Sequence, residues 1–261
     1  MKVYLLAHTE MPEKVVAGAA KLCYSDSGVE ELMEGLTDEN TRRFVRTLSE
    51  VGHESPVEHA SFTFGIEGVS RSFLAQMTRH RLASFSVQSQ RYVRLDDFSY
   101  VTPPAISDDP EALKIYDEMM RRDAEAYEAI SDRLKEKYIQ EYTEQGLTKK
   151  SAASKAEKRA IEDARFVLPN ACTTNMVMTM NVRELRHLFM VRCCNRAQWE
   201  IHAVCDEILK LVYKVAPTLF EASGPSCVAT GKCPEGKMTC GKFAEVQEYY
   251  RKLKEEALNE R

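Results

Sequence analysis

Five arginines and one histidine fall between Val69 and Leu95 with no acidic residue among them. The densest part runs Arg79-His80-Arg81, then Leu82-Ala83-Ser84-Phe85-Ser86-Val87-Gln88-Ser89-Gln90, then Arg91. The whole chain carries 36 Lys and Arg against 40 Asp and Glu, net charge −4, so this stretch is charge set apart from neutralising partners. A guanidinium holds a planar fork of donors that fits two oxygens of a phosphate or carboxylate at once. The chemistry implied is capture of an anionic ligand. The competing reading is a solvated helix face, but such faces mix Lys with Glu at helical spacing. This stretch has no Lys and interleaves its arginines with Ser, Gln and Thr.

The elements around it can be read from periodicity and caps. Residues 2 to 7 read as a strand, and 12 to 23 and 28 to 51 as helices, the first opened by Pro12. Alternation at Phe62, Phe64 and Ile66 makes 60 to 67 a strand with one buried face. Ser70 can cap a helix through Phe73, Leu74 and Met77, which puts Arg-His-Arg at a helix end and in the Ser/Gln loop that follows. From Asp108-Asp109-Pro110 a long helix carries one apolar stripe, Leu113 to Tyr138, until Gly146 stops it. Thr148 can cap a second charged helix reaching Arg165, and this pair reads as scaffold.

Residues 166 to 182 have no charged side chain, and Pro169 with the Asn residues favours strand in a buried sheet. A helix is expected from Asn181 to Ala216. On it Arg183 and His187 are four apart on one face, whereas Arg192 lies nine beyond Arg183, two and a half turns away. If that helix is unbroken, the three cannot serve one pocket of one subunit. It would then lie at a subunit boundary or be locally distorted.

A chain of 261 residues, 44% hydrophobic and without a Pro/Gly/Ser-rich linker, can bury one large core, so one domain is expected over 1 to 261. Its subdivisions would be a charged helical elaboration at 108 to 160, a Cys/Gly loop at 223 to 242 and a C-terminal helix at 243 to 261. No apolar window is long enough for a membrane span, and Met1 to Ala7 is too short before His8 for a signal peptide, so a cytoplasmic location is expected. Of eight cysteines, Cys227, Cys233 and Cys240 stand together in the tail, but the paired Cys-x-x-Cys of zinc sites is absent and no metal is expected. Gly231 and Gly236-Lys237 approach a phosphate-binding loop, which fails because Met238 stands where a hydroxyl must meet magnesium. His53 and His59 do not form a zinc-binding His-Glu-x-x-His helix; His53 is expected to face a ligand and His59 to be a satisfied structural histidine. Trp199 is expected in the core, with Gln198 able to reach the site.

Arg-His-Arg, seven residues, then Ser89 and Arg91 resembles the signature of the flavin-dependent thymidylate synthases. Further blocks follow in the family's order. They are Gly52-His53-Glu54-Ser55-Pro56-Val57-Glu58-His59, Ala164-Arg165-Phe166-Val167-Leu168-Pro169, Asn181-Val182-Arg183, Arg192, and Ala197-Gln198-Trp199-Glu200. The resemblance spans about residues 50 to 220. It departs from the pattern at Val87, where Glu is frequent, at His187, where Asn also occurs, and at Arg196, where some members carry His.

The resemblance implies an α+β fold, a central mostly antiparallel sheet wrapped by long helices, assembled as a homotetramer whose sites draw on several subunits. It implies reductive methylation of dUMP to dTMP, with methylenetetrahydrofolate as carbon donor and an FAD reduced by NADPH as hydride source. Arg192 matches the family's pyrimidine-activating arginine, where a cation would stabilise charge building on the ring. The resemblance puts dUMP on Gln76, Met77, Thr78 and Arg79, on Val87, Gln88, Ser89, Gln90 and Arg91, on Arg192, and on Arg165 from a neighbouring subunit. It puts FAD on Ser55, Arg79, His80, Arg81, Val87, Asn181, Arg183 and His187. His53 and Gln198 are candidates for contact with the folate or for lining the site. Ser89 is expected to hydrogen-bond the nucleotide, since no paired base is visible to make it a nucleophile.

Three other classes compete. A cysteine-type thymidylate synthase would need Cys172, whose uncharged surroundings should raise its pKa. A non-catalytic nucleotide or nucleic-acid module would use Arg71, Arg79, Arg81, Arg91 and Arg94 along a backbone, but only Phe73, Phe85 and Tyr92 offer stacking platforms and the chain is acidic, so no nucleic-acid partner is expected. An oligomeric scaffold without a ligand is the third.

Overall fold

The structure, a computed structural model, describes residues 1–94 and 98–260. Leu95, at the end of the basic stretch, and Arg261, at the end of the expected last helix, lie outside the described residues. The elements in order are β1 (Lys2–His8), α1 (Pro12–Leu22), α2 (Val29–Glu34), α3 (Asp38–Glu50), β2 (Ser61–Ser70), α4 (Arg71–Met77), β3 (Ala83–Val87), α5 (Pro104–Ser107), α6 (Pro110–Glu144), α7 (Lys149–Ala164), β4 (Thr173–Asn181), α8 (Val182–Arg192), α9 (Trp199–Val215), α10 (Ser226–Ala229) and α11 (Phe243–Asn259). The strands bond in the order β1-β2-β4-β3. β1 runs antiparallel to β2, Lys2 opposite Glu67 and His8 opposite Phe62. Thr63 meets Thr179, and Gly68 N–H donates to Asn175, so β2 and β4 also run in opposite senses. The fold is α+β with an antiparallel sheet.

Two compact units divide the chain, the first from residues 1–67, 76–86 and 176–261, the second from 68–75 and 87–175. In the first, alternation puts Phe62, Phe64 and Ile66 of β2, and Met176, Met178 and Met180 of β4, on buried faces. Phe220 meets Phe62 and Phe189 edge to face, at centroid distances of 5.6 and 6.0 Å. Each such buried aromatic stabilises the fold by roughly 2 to 3 kcal/mol.

The second unit is built on α6 and α7. Ala152, Ala156, Ala160 and Ala164 recur every four residues, all buried, so the α7 backbone comes close to its neighbour. Tyr127 packs on Ile161 and Ala164, and Tyr138 on Ala156 and Ala160. Asp109 caps α6 by accepting from the N–H groups of Glu111 and Ala112, and Thr148, the expected cap of α7, accepts from Ser151. Gly146 takes φ +88°, which ends α6 at little steric cost.

Three expectations are corrected. The helix expected at 28 to 51 is two, because Gly35 ends α2 and the Thr37 side chain caps α3 through Asn40 N–H. The helix expected from Asn181 to Ala216 breaks after Arg192 and restarts at Trp199, where Gln198 Oε1 accepts from Glu200 and Ile201. The Ser/Gln loop expected after Arg81 begins as strand β3. Ser70 caps α4 through Phe73 N–H as read from sequence, and no helix among the described residues is long and apolar enough to cross a membrane.

Candidate functional site

In the first unit the end of α4, the turn after it and α8 gather Gln76, His80, Glu184, His187, Arg192 and Gln198. Asn181 Oδ1 accepts from Glu184 N–H and starts α8, so the two turns that follow hold their side chains in fixed register. His80 is buried, with Nδ1 3.0 Å from Glu184 Oε1. Arg192, in the last turn of α8 where the helix dipole favours a cation, donates from Nε to His80 Nε2 and from Nη2 to the Gln76 carbonyl, both at 3.4 Å. The His187 ring stands 5.9 Å from that of His80, and Gln76 donates to Gln198 at 3.5 Å. Burial lowers the His80 pKa, with Arg192 and His187 acting in the same sense and Glu184 opposing, which favours the neutral ring. Both its ring nitrogens face protein atoms, which leaves its backbone for a ligand.

Arg79 and Arg81 flank this buried histidine and are exposed. Neither side chain has a hydrogen-bond or ion-pair partner among the described residues. Two uncompensated guanidiniums in an acidic chain suit the pyrophosphate of FAD. Arg183 is different: it donates to Glu54 at 3.2 Å and to Glu58. Its projection away from Arg192 is what the nine-residue spacing predicts, but His187, expected on the Arg183 face, turns its ring to His80 instead. Ser55 and His53 are exposed, the latter just after Gly52 at φ +71°. His59 is exposed with no partner among the described residues, which corrects its reading as a satisfied structural histidine. Trp199 is 40% exposed at the start of α9, not in the core. The Met77 side chain is fully buried, so it offers a ligand only its backbone, and Thr78 beside it is exposed.

In the second unit Gln88 N–H donates to the Asn175 carbonyl and Asn175 donates to the Gln88 side chain, tying down the strand end just after Val87. Ser89 Oγ accepts from Arg91 N–H at 3.1 Å and closes a turn. Arg91 pairs with Glu162 at 2.7 Å, while Arg165 donates from Nε to the Glu162 carbonyl at 3.0 Å, so both converge on one residue of one chain. Arg94 bridges Asp132 and Glu157 at 2.8 and 3.0 Å. The basic stretch is therefore not free of acids throughout: its second half is neutralised by α6 and α7. Gln90 donates to Cys172 Sγ at 3.7 Å, and burial pushes that thiol up, as its neutral surroundings predicted. Arg71 Nη1 is buried without a partner among the described residues.

Cys194, Cys227, Cys233 and Cys240 line a cavity of about 300 Å³. Among the described residues no three His, Cys, Asp or Glu side chains gather closely enough to hold a metal ion. The residue missed in sequence is Glu184. Asn181 followed three residues later by Glu184 reads as a capping box, which would send the carboxylate back to the helix start; it goes to His80.

The family model described as thymidylate synthase complementing protein matches residues 4–218. A flavin-dependent thymidylate synthase of Clostridium tetani is 54% identical over 250 residues, 96% of this chain and 97% of that protein. One of Geobacter sulfurreducens is 46% identical over 255 residues, covering 97% and 99%, and one of Nitratidesulfovibrio vulgaris 42% over 248 residues, covering 93% and 95%. With its arginine-rich turn, its Arg192 held on a buried histidine and these matches over nearly its whole length, the chain belongs to the thymidylate synthase complementing protein family, alongside the flavin-dependent thymidylate synthases.

Proposed function

We propose that this protein makes dTMP from dUMP, with methylenetetrahydrofolate supplying the carbon and NADPH the reducing electrons. The overall exchange balances as dUMP, methylenetetrahydrofolate, NADPH and a proton giving dTMP, tetrahydrofolate and NADP⁺. FAD, when bound and reduced by NADPH, supplies the hydride that completes the methyl group. The observation that carries the reading is the pair of exposed, unpartnered guanidiniums, Arg79 and Arg81, on either side of a buried His80 that meets Arg192.

The residues of this chain have four tasks. Arg79 and Arg81 neutralise phosphate oxygens of FAD, and Arg79 with the Gln76 to Thr78 segment also receives dUMP. Ser55, Asn181, Arg183, His187 and the backbone at His80 and Val87 complete the FAD contacts, with Arg183 exchanging part of its Glu54 and Glu58 pairing. Arg192 sits at the O2/N3 edge of the uracil and stabilises the charge that builds on the ring as C5 attacks the carbon donor. Gln88 to Arg91 and Arg165 also hold the nucleotide. Because Arg91 and Arg165 share Glu162 within one chain, a subunit that lends Arg165 lends the Ser89 turn with it. His53 and Gln198 line the folate side.

The working assembly is a homotetramer in the cytoplasm. Tyr4, Leu6 and Val177, on the sheet face opposite Phe64 and Met178, are 41 to 55% exposed, which supports a subunit contact there. The test is spectroscopic and chemical. Purified protein should show a flavin spectrum that bleaches with NADPH, and should convert labelled dUMP to dTMP when methylenetetrahydrofolate is added. A colourless protein that ignores added FAD and forms no dTMP would end the proposal.

A further inference from the structure

Glu184 is 8% exposed, and its carboxylate faces the His80 imidazole, which burial holds toward the neutral form. Burying an ionised carboxylate costs several kcal/mol unless it is well bonded, and an apolar side chain would serve packing better. Its geometry has a specific consequence. A carboxylate can only accept, so His80 Nδ1, 3.0 Å away, carries the proton and Nε2 presents a bare lone pair. That lone pair receives Arg192 Nε–H at 3.4 Å, while the Gln76 carbonyl receives one Nη2 proton. Two donors of the planar guanidinium are then fixed and Nη1 is left as its free end. With the other tautomer, Nε2–H would point at Nε–H and the guanidinium would be turned away. His187 and Arg192 are the other titratable groups facing this ring.

We infer that Glu184 is a positioning residue for Arg192: it locks the His80 tautomer whose Nε2 aims the guanidinium. The inference rests on the role given to Arg192 above and adds a residue to it. Glu184 touches no substrate; it acts through one imidazole and one guanidinium, all three held by α8 and the turn after α4.

The test compares Glu184→Gln and Glu184→Leu with the unsubstituted protein. We expect kcat to fall about tenfold for Gln and about a hundredfold for Leu, the range for groups that orient a functional side chain through a hydrogen bond. FAD content and the KM for dUMP should stay within about twofold, since no ligand contact is removed. Combining Glu184→Leu with Arg192→Ala should be no slower than Arg192→Ala alone, because no guanidinium is left to aim. On flavin-free protein labelled with ¹⁵N histidine, His80 should carry its proton on Nδ1, and Glu184→Leu, which leaves no acceptor there, should abolish that preference. Unchanged kcat, effects that multiply in the double variant, or an unaltered tautomer would each overturn the inference. If the Leu variant lacks a cooperative melt, the kcat of the near-isosteric Gln variant and the site of the His80 proton in the unsubstituted protein decide. Failure of the unsubstituted protein to form dTMP would instead sink the proposed function and leave the tautomer measurement standing.

Discussion

Arg79 and Arg81 differ from Arg91 and Arg94 in one respect that sequence conceals. All four lie within sixteen residues of a stretch without acids, yet the first pair is exposed and unpartnered among the described residues. The second pair is neutralised, Arg91 by Glu162, and Arg94 by Asp132 and Glu157. Charge segregation along a chain is thus not charge segregation in space. Arg94 spends its fork on joining α6 to α7, whereas Arg79 and Arg81 keep theirs for a ligand.

Substitutions can break or sharpen this contrast. The largest effect should come from Arg192→Ala, which removes charge stabilisation without touching the cation pair. We expect kcat to fall by about a hundredfold to a thousandfold with FAD content unchanged; retained turnover would take Arg192 out of the reaction. Next, Arg79→Ala and Arg81→Ala should each weaken FAD binding about tenfold to a hundredfold, the loss of charge-assisted bonds to phosphate, with a larger effect at low salt.

Arg94→Ala should leave FAD binding alone and lower stability by about 1 kcal/mol. Burial acts to raise the Glu157 pKa, but hydrogen bonds and charges from Lys135 and Arg94 outweigh it and hold the carboxyl below its usual range. A carboxyl depressed in the folded state contributes stability above its unfolded pKa of about 4.3, and that contribution is lost as pH falls through the folded value. The Arg94→Ala deficit, followed by urea melts, should be full at pH 7 and fade as acid protonates Glu157. A deficit independent of pH would assign it another origin. The smallest change is expected from Cys172→Ala, which should keep substantial dTMP formation; complete loss would revive a thiolate mechanism that the raised Cys172 pKa opposes.

Elements with local signals were legible in the chain. Asp109, Thr148 and Ser70 are caps whose side chains reach their own helices, and Gly146 stops α6 by a backbone preference. What escaped were two helix breaks. Apolar periodicity continues across Gly35 to Thr37, and Cys193 to Gln198 contains neither Gly nor Pro, so two helix pairs each read as one. β3 hid behind Ser84 and Ser86, whose alternation with Ala83, Phe85 and Val87 is a strand pattern but whose composition suggests a loop. In the site, the family motif pointed to Arg79, Arg81 and Arg192. Their partners did not follow from it, because the pairing of Arg94 with Glu157 or of His80 with Glu184 joins residues 63 and 104 positions apart. Such pairs are products of tertiary packing.

The contrast between the two arginine pairs is tested most directly by fluorescence titration of FAD into the flavin-free protein carrying either Arg79→Ala with Arg81→Ala, or Arg94→Ala. The account predicts an affinity lowered at least about a hundredfold for the double variant, from two lost charge-assisted contacts, and unchanged for Arg94→Ala. Equal losses in the two proteins, or none in either, would contradict it.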